Sequence, residues 1–266
     1  MVRFSMRMLL GGLLAFGALG ASAAFAADVV DDEAQQAALE VLVGKSPPKA
    51  DSVKGIALAT WTHGPVKAGA LWVVAVLVQP SGNDSQAQVW AGVLSRDDQG
   101  FHLLAGDRSE RIELGPILWN PSLTLDLIPY RISDQETAFG VRFSNSYTST
   151  AHSDTQEVLS LYRYADGAVT PIFTALTDSS GYDRDEAAEC AKGKAGQGKP
   201  PTDAQQDACD AANMTEQHYA LSFSPHITNG HYDVLVRAKS KAAPGKTARF
   251  SWNGKSYQPR RFEGGL

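Results

Sequence analysis

The side chains best suited to chemistry in this sequence are six histidines, two cysteines and several clusters of acidic residues. The three closest histidines, His218, His226 and His231, are separated by eight and five residues, a spacing that fits no compact zinc motif. The sequence also lacks a Gly-x-Ser-x-Gly elbow, a phosphate-binding loop and a dinucleotide-binding fingerprint. We therefore predict no catalytic residues, no cofactor and no metal site, and the sequence favours a protein that is not an enzyme.

Acidic residues are most concentrated between Asp178 and Glu186. A calcium loop of the EF-hand type needs oxygen ligands at its first, third and fifth positions. The third and fifth positions here would be Ser180 and Tyr182, so that motif does not fit. A looser oxygen site for calcium is an open alternative, whereas acids that complement the dipole of a helix start are the favoured interpretation.

Cys190 and Cys209 are the only cysteines, and they enclose a loop of about 20 residues, which a disulfide would stabilise by roughly 3 kcal/mol. A redox pair would favour a Cys-x-x-Cys spacing, and a zinc site would need further ligands nearby. Two cysteines in an oxidising compartment usually pair. We therefore predict a structural disulfide between them.

Five side chains are candidates for a contact surface. Trp61 and Trp119 lie beside turn residues, although packing in the core is the more common role of such tryptophans. Tyr147 and His152 belong to the polar run 144–153, which we interpret as a long hairpin loop. Tyr182 lies at the start of a predicted insertion. These residues are where we expect another macromolecule to bind.

The N-terminus has the order of a secretory signal peptide, with Arg3 and Arg7 before an apolar stretch and Ala24-Phe25-Ala26 at its end. Cleavage after Ala26 would remove residues 1–26, change the formal charge from −5 to −7 and leave no membrane anchor. We expect a periplasmic protein, with an extracellular location as the alternative. An acidic mature chain argues against binding nucleic acid, which requires a basic surface.

The elements that would position these residues are mostly strands. A helix is predicted over 31–43, and from residue 55 apolar residues alternate with polar ones, as in antiparallel sheets. The stretch 71–78 is almost continuously apolar, which is typical of a strand buried on both faces. Repeated strand–turn–strand units predict meander sheets in an irregular β-propeller-like fold, with a β-sandwich as the alternative.

Residues 27–266 are expected to form a single β-rich domain. The segment 178–216 interrupts the strand pattern with two short helical stretches, predicted over 185–192 and 202–213. Neither stretch is long enough to be a stable helix alone. We predict that this segment is a helical insertion held together by the disulfide.

Together these observations lead us to expect an exported, non-enzymatic binding protein, such as an inhibitor or immunity-type protein that acts on an envelope macromolecule or enzyme. The partner would be an envelope protein or glycan. The alternative is an envelope hydrolase or carbohydrate-binding module whose site is assembled in space, which spacing along the chain does not test.

Overall fold

The computed structural model describes residues 31–65, 70–79, 86–113, 120–239 and 245–266. The predicted signal peptide (1–26) and Trp119 lie outside these residues. Three α-helices are described, α1 (Asp32–Val43), α2 (Arg184–Ala195) and α3 (Asp203–Ala212), together with a short 3-10 helix (Ala50–Ser52). The strands, in chain order, are β1 (Val53–Trp61), β2 (Leu71–Val78), β3 (Gln86–Asp97), β4 (Gly100–Glu113), β5 (Ser122–Arg131), β6 (Thr137–Thr148), β7 (His152–Ala165), β8 (Ala168–Asp183), β9 (Met214–Thr228), β10 (His231–Ala238), β11 (Thr247–Trp252), β12 (Tyr257–Gln258) and β13 (Arg261–Phe262).

The strands form two sheets in which sequence neighbours pair with each other. The first sheet has four strands in the order β1-β2-β3-β4. The second has nine strands, in the order β12-β11-β10-β9-β8-β7-β6-β5, with β13 pairing alongside β8. The β13–β8 pair is parallel, whereas the other pairs are antiparallel. The sheet-dominated, antiparallel class is therefore confirmed. The described strands form no closed sheet, and neither a propeller nor a sandwich is confirmed.

Helix α1 covers one face of the first sheet. It begins as predicted, because the Asp31 carboxylate accepts a hydrogen bond from the Ala34 backbone, and Gly44 ends it. Leu39 and Leu42 of the helix form a buried cluster with residues on this face of the sheet, such as Val74. A methyl group at Gly92 would lie 2.7 Å from Leu42 Cδ1, so this glycine allows the helix its close approach.

The other face of the first sheet shares its core with the second sheet. Alternate residues of β2, among them Val73 and Leu77, join Phe139, Tyr162 and Phe173 of the second sheet in one buried cluster. The strand β2 is thus buried on both faces, as its continuous apolar run predicted. Phe139 stacks on Tyr162 with ring centroids 5.4 Å apart. This core fixes the position of β6 and β7, which carry the candidate site described below.

Beyond this core, four strands of the second sheet continue as a polar ribbon, which we define as residues 144–148, 152–157, 178–183 and 214–218. The predicted long loop over 144–153 was therefore wrong in most of its length. Strands β6 and β7 continue to Thr148 and from His152, and the turn is short, with Ser149 Oγ accepting a hydrogen bond from His152 N. Polar residues without apolar alternation looked like a loop, yet pairing on both sides extends them as strands.

The helical insertion is confirmed within narrower limits than 178–216. Residues 178–183 belong to β8 and residues 214–216 to β9, so the helices fill only the segment between them. Asp183 caps α2, and Thr202 forms a capping box at the start of α3. The predicted end of the first helix at residue 192 was wrong, because α2 continues to Ala195. A disulfide joins Cys190 to Cys209 with a Cα–Cα distance of 5.7 Å.

Replacing both cysteines by serine is expected to unfold the insertion while the sheets remain. Helices of 12 and 10 residues are marginal alone, and the disulfide contributes up to about 3 kcal/mol by restricting the unfolded loop. Hydrogen exchange should show fast amide exchange over 184–212 and unchanged protection in β2 and β6. Ala208→Ser, at an exposed position of α3, is the control. Slow amide exchange over 184–212 in the variant without cysteines would contradict this expectation.

Candidate functional site

A polar groove lies across the second sheet where the ribbon leaves the core. It encloses about 590 Å³, within the range of small-molecule sites. Its polar lining consists of Tyr130, Arg142, Glu157, Thr177, Asp178, His218 and Lys239. Strands β6, β7 and β8 form the floor, and β5 and β9 form the walls. The rest of the groove is lined by Ile128, Leu159, Tyr219, Ala220 and Leu221.

Arg142 organises the floor by bonding two carboxylates at once. Its Nε lies 2.7 Å from Asp126 Oδ2, and its Nη1 lies 2.7 Å from Glu157 Oε1. The Tyr130 hydroxyl donates to the same Asp126 oxygen at 2.7 Å. Since a guanidinium presents its donors in a fixed plane, these bonds hold both carboxylates in defined orientations.

A second set of bonds continues across β8 and β9. Thr177 donates to Glu157 Oε1 at 2.7 Å, and His218 Nδ1 lies 2.5 Å from Asp178 Oδ2. In the strand register Glu157 is opposite Asp178, and Asp178 is opposite His218. Two carboxylates directly opposite each other repel. Here Glu157 is paired with Arg142 on β6 and Asp178 with His218 on β9, so each carboxylate has a partner on the strand away from the other.

The close fit of β5 against β6 depends on Gly140. A Cβ atom at this position would lie 2.8 Å from Leu159 Cδ1 and 3.0 Å from the Asp126 carbonyl oxygen. Any larger residue would push β5 away from β6 and separate Asp126 from Arg142. The glycine therefore sets the width of the groove at this wall.

The electrostatics of the groove keep its donors protonated. Burial, together with the bond to Asp126, raises the pKa of Tyr130 well above its usual range. Burial alone would lower the pKa of Arg142, but its bonds to Asp126 and Glu157 raise it. Both groups therefore remain hydrogen-bond donors throughout the neutral pH range.

The structure places four of the five predicted contact residues, and Trp119 lies outside the described residues. Trp61 is only 2% exposed and packs edge-on against Phe139 at 5.1 Å, so its prediction as a surface residue was wrong. The turn beside it does not expose it, because β1 ends with the ring facing the core. Tyr147 and His152 are neighbours on the ribbon face opposite the groove, with ring centroids 6.5 Å apart. Tyr182 is on the groove side and donates to Asp210 of α3.

A buried ion cluster joins the two sheets beyond the groove. Glu110 of β4 is fully buried and accepts from Arg260 at 2.5 Å and from Arg261 at 3.0 Å. Thr174 of β8 donates to the same carboxylate at 2.9 Å. The two arginines belong to the C-terminal segment that includes β13. This segment therefore fastens β4 to β8.

A third polar cluster connects the β5–β6 turn to the β9–β10 turn. Arg163 donates two hydrogen bonds to Glu136, and His231 Nε2 lies 2.9 Å from the same carboxylate. The His231 ring stacks on Trp252 with centroids 4.1 Å apart. The bond from Arg163 lowers the pKa of Glu136. These contacts fasten the two turns together, and the residues are not part of the groove.

The described residues also bear on metal ligation and membrane crossing. Among them, no three histidine, cysteine, aspartate or glutamate side chains converge as metal ligands would. In the acidic stretch that begins at Asp178, this carboxylate bonds to His218, and Asp183 caps α2. None of the described helices is long and apolar enough to cross a bilayer.

Sequence reasoning did not identify the groove residues as a site. Asp126 and Arg142 were visible only as polar members of alternating apolar patterns, His218 was considered only as a metal ligand, and Glu157 and Lys239 had no distinguishing context. The available signal was two residues of opposite charge, Asp126 and Arg142, at polar positions of neighbouring alternating segments. Which of them meet depends on register, and a one-residue shift would move each to the opposite face.

Comparison of the chain with protein-family models, with curated proteins and with solved structures finds no match.

Proposed function

We propose that this protein is an exported, non-enzymatic binding protein that holds a segment of an envelope macromolecule in the ribbon groove. The observation that carries the proposal is a preformed groove of about 590 Å³ whose charged floor is already paired and oriented. A site that needs no rearrangement loses little entropy when a ligand binds. An inhibitor or immunity-type role toward an envelope enzyme is one form of this function.

The bonding pattern supports binding over catalysis. Glu157 Oε1 accepts from both Arg142 and Thr177, and Asp126 Oδ2 accepts from both Arg142 and Tyr130. Carboxylates fixed in this way act as directed acceptors for a ligand. A general acid or base, in contrast, must exchange its proton with the substrate.

The alternative function, an envelope hydrolase or carbohydrate-binding module, is favoured by one feature of the same groove. Asp178 and His218 form a hydrogen-bonded pair beside Glu157, so a carboxylate and an imidazole converge in one cavity. Release of small fragments from an envelope preparation, lost in Asp178→Asn, would favour the hydrolase.

A photo-crosslinking residue at position 128 tests the binding function. Ile128 is 57% exposed on the groove wall, so a photoreactive side chain there lies beside any bound segment. We expect one discrete adduct when the full chain is irradiated in the exporting cell. Protease or glycosidase digestion of the adduct then identifies its class.

The matched control is the same photoreactive residue at position 104. Leu104 is 39% exposed on β4 of the first sheet, away from the groove. Equal adduct yields at the two positions, or no adduct at position 128, would overturn the proposed binding site.

We also propose that the protein is exported to the periplasm, with the medium as the alternative. The Cys190–Cys209 bond is compatible with export because disulfides persist in oxidising compartments. Fractionation followed by mass measurement should find a chain that begins at Ala27, with both thiols blocked. A chain that keeps residues 1–26 inside the cell would contradict it.

For the architecture, we propose that residues 27–266 form one domain in which the two sheets make an open β-sandwich. Support comes from the single buried cluster to which both sheets contribute, and from the Glu110 contacts that join β4 to β8. Limited proteolysis that releases one intact sheet from the other would contradict this arrangement.

A further inference from the structure

We infer that the macromolecule bound in the ribbon groove is an uncharged, hydroxyl-rich glycan chain that continues from the groove along the ribbon. This inference rests on the proposed binding function and specifies its ligand class, which is the ligand of a carbohydrate-binding module without the chemistry of a hydrolase. Three observations support this class: the position of the groove on the sheet, the side chains that lie opposite one another across its strands, and its charge.

The groove lies on the face of the sheet and not at an edge. Its floor strands β6, β7 and β8 each pair on both sides, so their backbone groups are already used in the ladders. An extended peptide usually binds by adding a strand at an open edge, and a helical one needs an apolar groove. The floor here offers polar side chains, which suits a ligand recognised through hydroxyl groups.

Four side chains meet in one row across the ribbon: Ser144, Glu157, Asp178 and His218. The two carboxylates accept strong, charge-assisted hydrogen bonds from hydroxyl groups. A serine hydroxyl both donates and accepts hydrogen bonds, and a neutral imidazole has one nitrogen that donates and one that accepts. A sugar ring presents neighbouring hydroxyls that donate and accept in the same way, so each row can bond one side of a ring.

The next rows of the same face continue this chemistry away from the groove. Two residues further along the strands, the row contains Ser146, Thr155, Ser180 and Glu216. The row after it contains Thr148, Ser153, Tyr182 and Met214, so hydroxyl groups continue on β6, β7 and β8 while β9 contributes an apolar side chain. Because alternate residues of a strand are roughly 7 Å apart, the polar face extends about 14 Å beyond the groove. A surface of this length fits several linked sugar units better than a single one.

Charge decides against an acidic glycan. Asp126, Glu157, Asp178 and Glu216 outnumber Arg142 and Lys239 along this face. A chain that carries uronic acids would place further negative charge against these carboxylates, which weakens binding. The ligand is therefore neutral, with hydroxyl or acetamido substituents.

Titration calorimetry on the mature chain tests this inference with four probes: the hexasaccharides of glucose, of N-acetylglucosamine and of hyaluronan, and hexalysine. We expect a neutral hexasaccharide to bind and hyaluronan to bind at least about tenfold more weakly, because of like-charge repulsion. Binding of the neutral chain should change less than about twofold with salt, since screening acts on charged ligands.

Variants assign the binding to the groove. Glu157→Gln should weaken neutral hexasaccharide binding by about tenfold, because it removes the charge-assisted acceptor. Glu189→Gln, at an exposed site on α2, should leave it unchanged. Far-UV circular dichroism and the melting temperature verify that both variants fold. Binding that is insensitive to Glu157→Gln in a folded protein would overturn the inference.

The combined outcomes distinguish this inference from the proposed function. If hexalysine binds in a salt-sensitive way and no saccharide binds, the glycan class is wrong, while an adduct at position 128 still supports a binding groove. A protease-sensitive adduct with no saccharide binding would likewise overturn the glycan class alone. Failure of both the adduct and the saccharides would overturn both proposals.

Discussion

Replacing Glu110 by glutamine is expected to lower the free energy of unfolding by about 3 kcal/mol, because it leaves two arginines without their buried counter-charge. Glu110 is 1% exposed, and Arg260 and Arg261 bond to its two oxygens. Both arginine side chains are about one third exposed, at 34% and 35%, and can partly rehydrate. Because of this partial exposure, the loss in free energy of unfolding is at the lower end of the range for a broken buried pair. Urea unfolding followed by tryptophan fluorescence measures this loss.

The melting temperature should fall by roughly 6–12 °C for a domain of this size. Glu189→Gln is the matched control, since Glu189 pairs with Lys192 on the surface at 73% and 66% exposure and should change stability by less than about 0.5 kcal/mol. A loss below about 1 kcal/mol in Glu110→Gln would show that the cluster is energetically neutral.

Arg142→Met is expected to remove binding in the groove and to destabilise the protein by about 2 kcal/mol. The side chain joins Asp126, which is 11% exposed, to Glu157, which is 33% exposed. Without it both carboxylates lose their counter-charge and their fixed orientation. The adduct yield from the photoreactive residue at position 128 should fall at least about tenfold, which corresponds to 1.4 kcal/mol of binding free energy.

Arg163→Met separates the effect on binding from the effect on stability. Arg163 makes a comparable pair with Glu136, at 25% and 29% exposure, outside the groove. We expect a similar loss of stability and an unchanged adduct yield. Equal adduct yields in the two variants would contradict the role given to Arg142.

The amino-acid pattern predicted the parts of the fold that depend on local sequence. Helix α1 follows from Asp31, Gly44 and the apolar spacing between them, and β2 follows from its continuous apolar run. The disulfide followed from the number of cysteines and the predicted signal peptide. In each case the residues that determine the element lie within it or beside it.

Features that depend on pairing between distant strands could not be predicted. The residues 144–148 and 178–183 contain serine, threonine, asparagine and aspartate, which favour loops when considered alone. They are strands because each lies against a partner already placed by the core. The groove is even less predictable, because Asp126, Arg142 and His218 come to the same face only once the five strands β5 to β9 are in register.

The position of Glu110 has a consequence for the order of events during biosynthesis. Its partner Arg260 is 150 residues later in the chain. Until Arg260 has been synthesised, closing the two sheets would bury an uncompensated charge, which costs several kcal/mol. The two sheets of a nascent chain therefore close on each other only after the strands of both have been made.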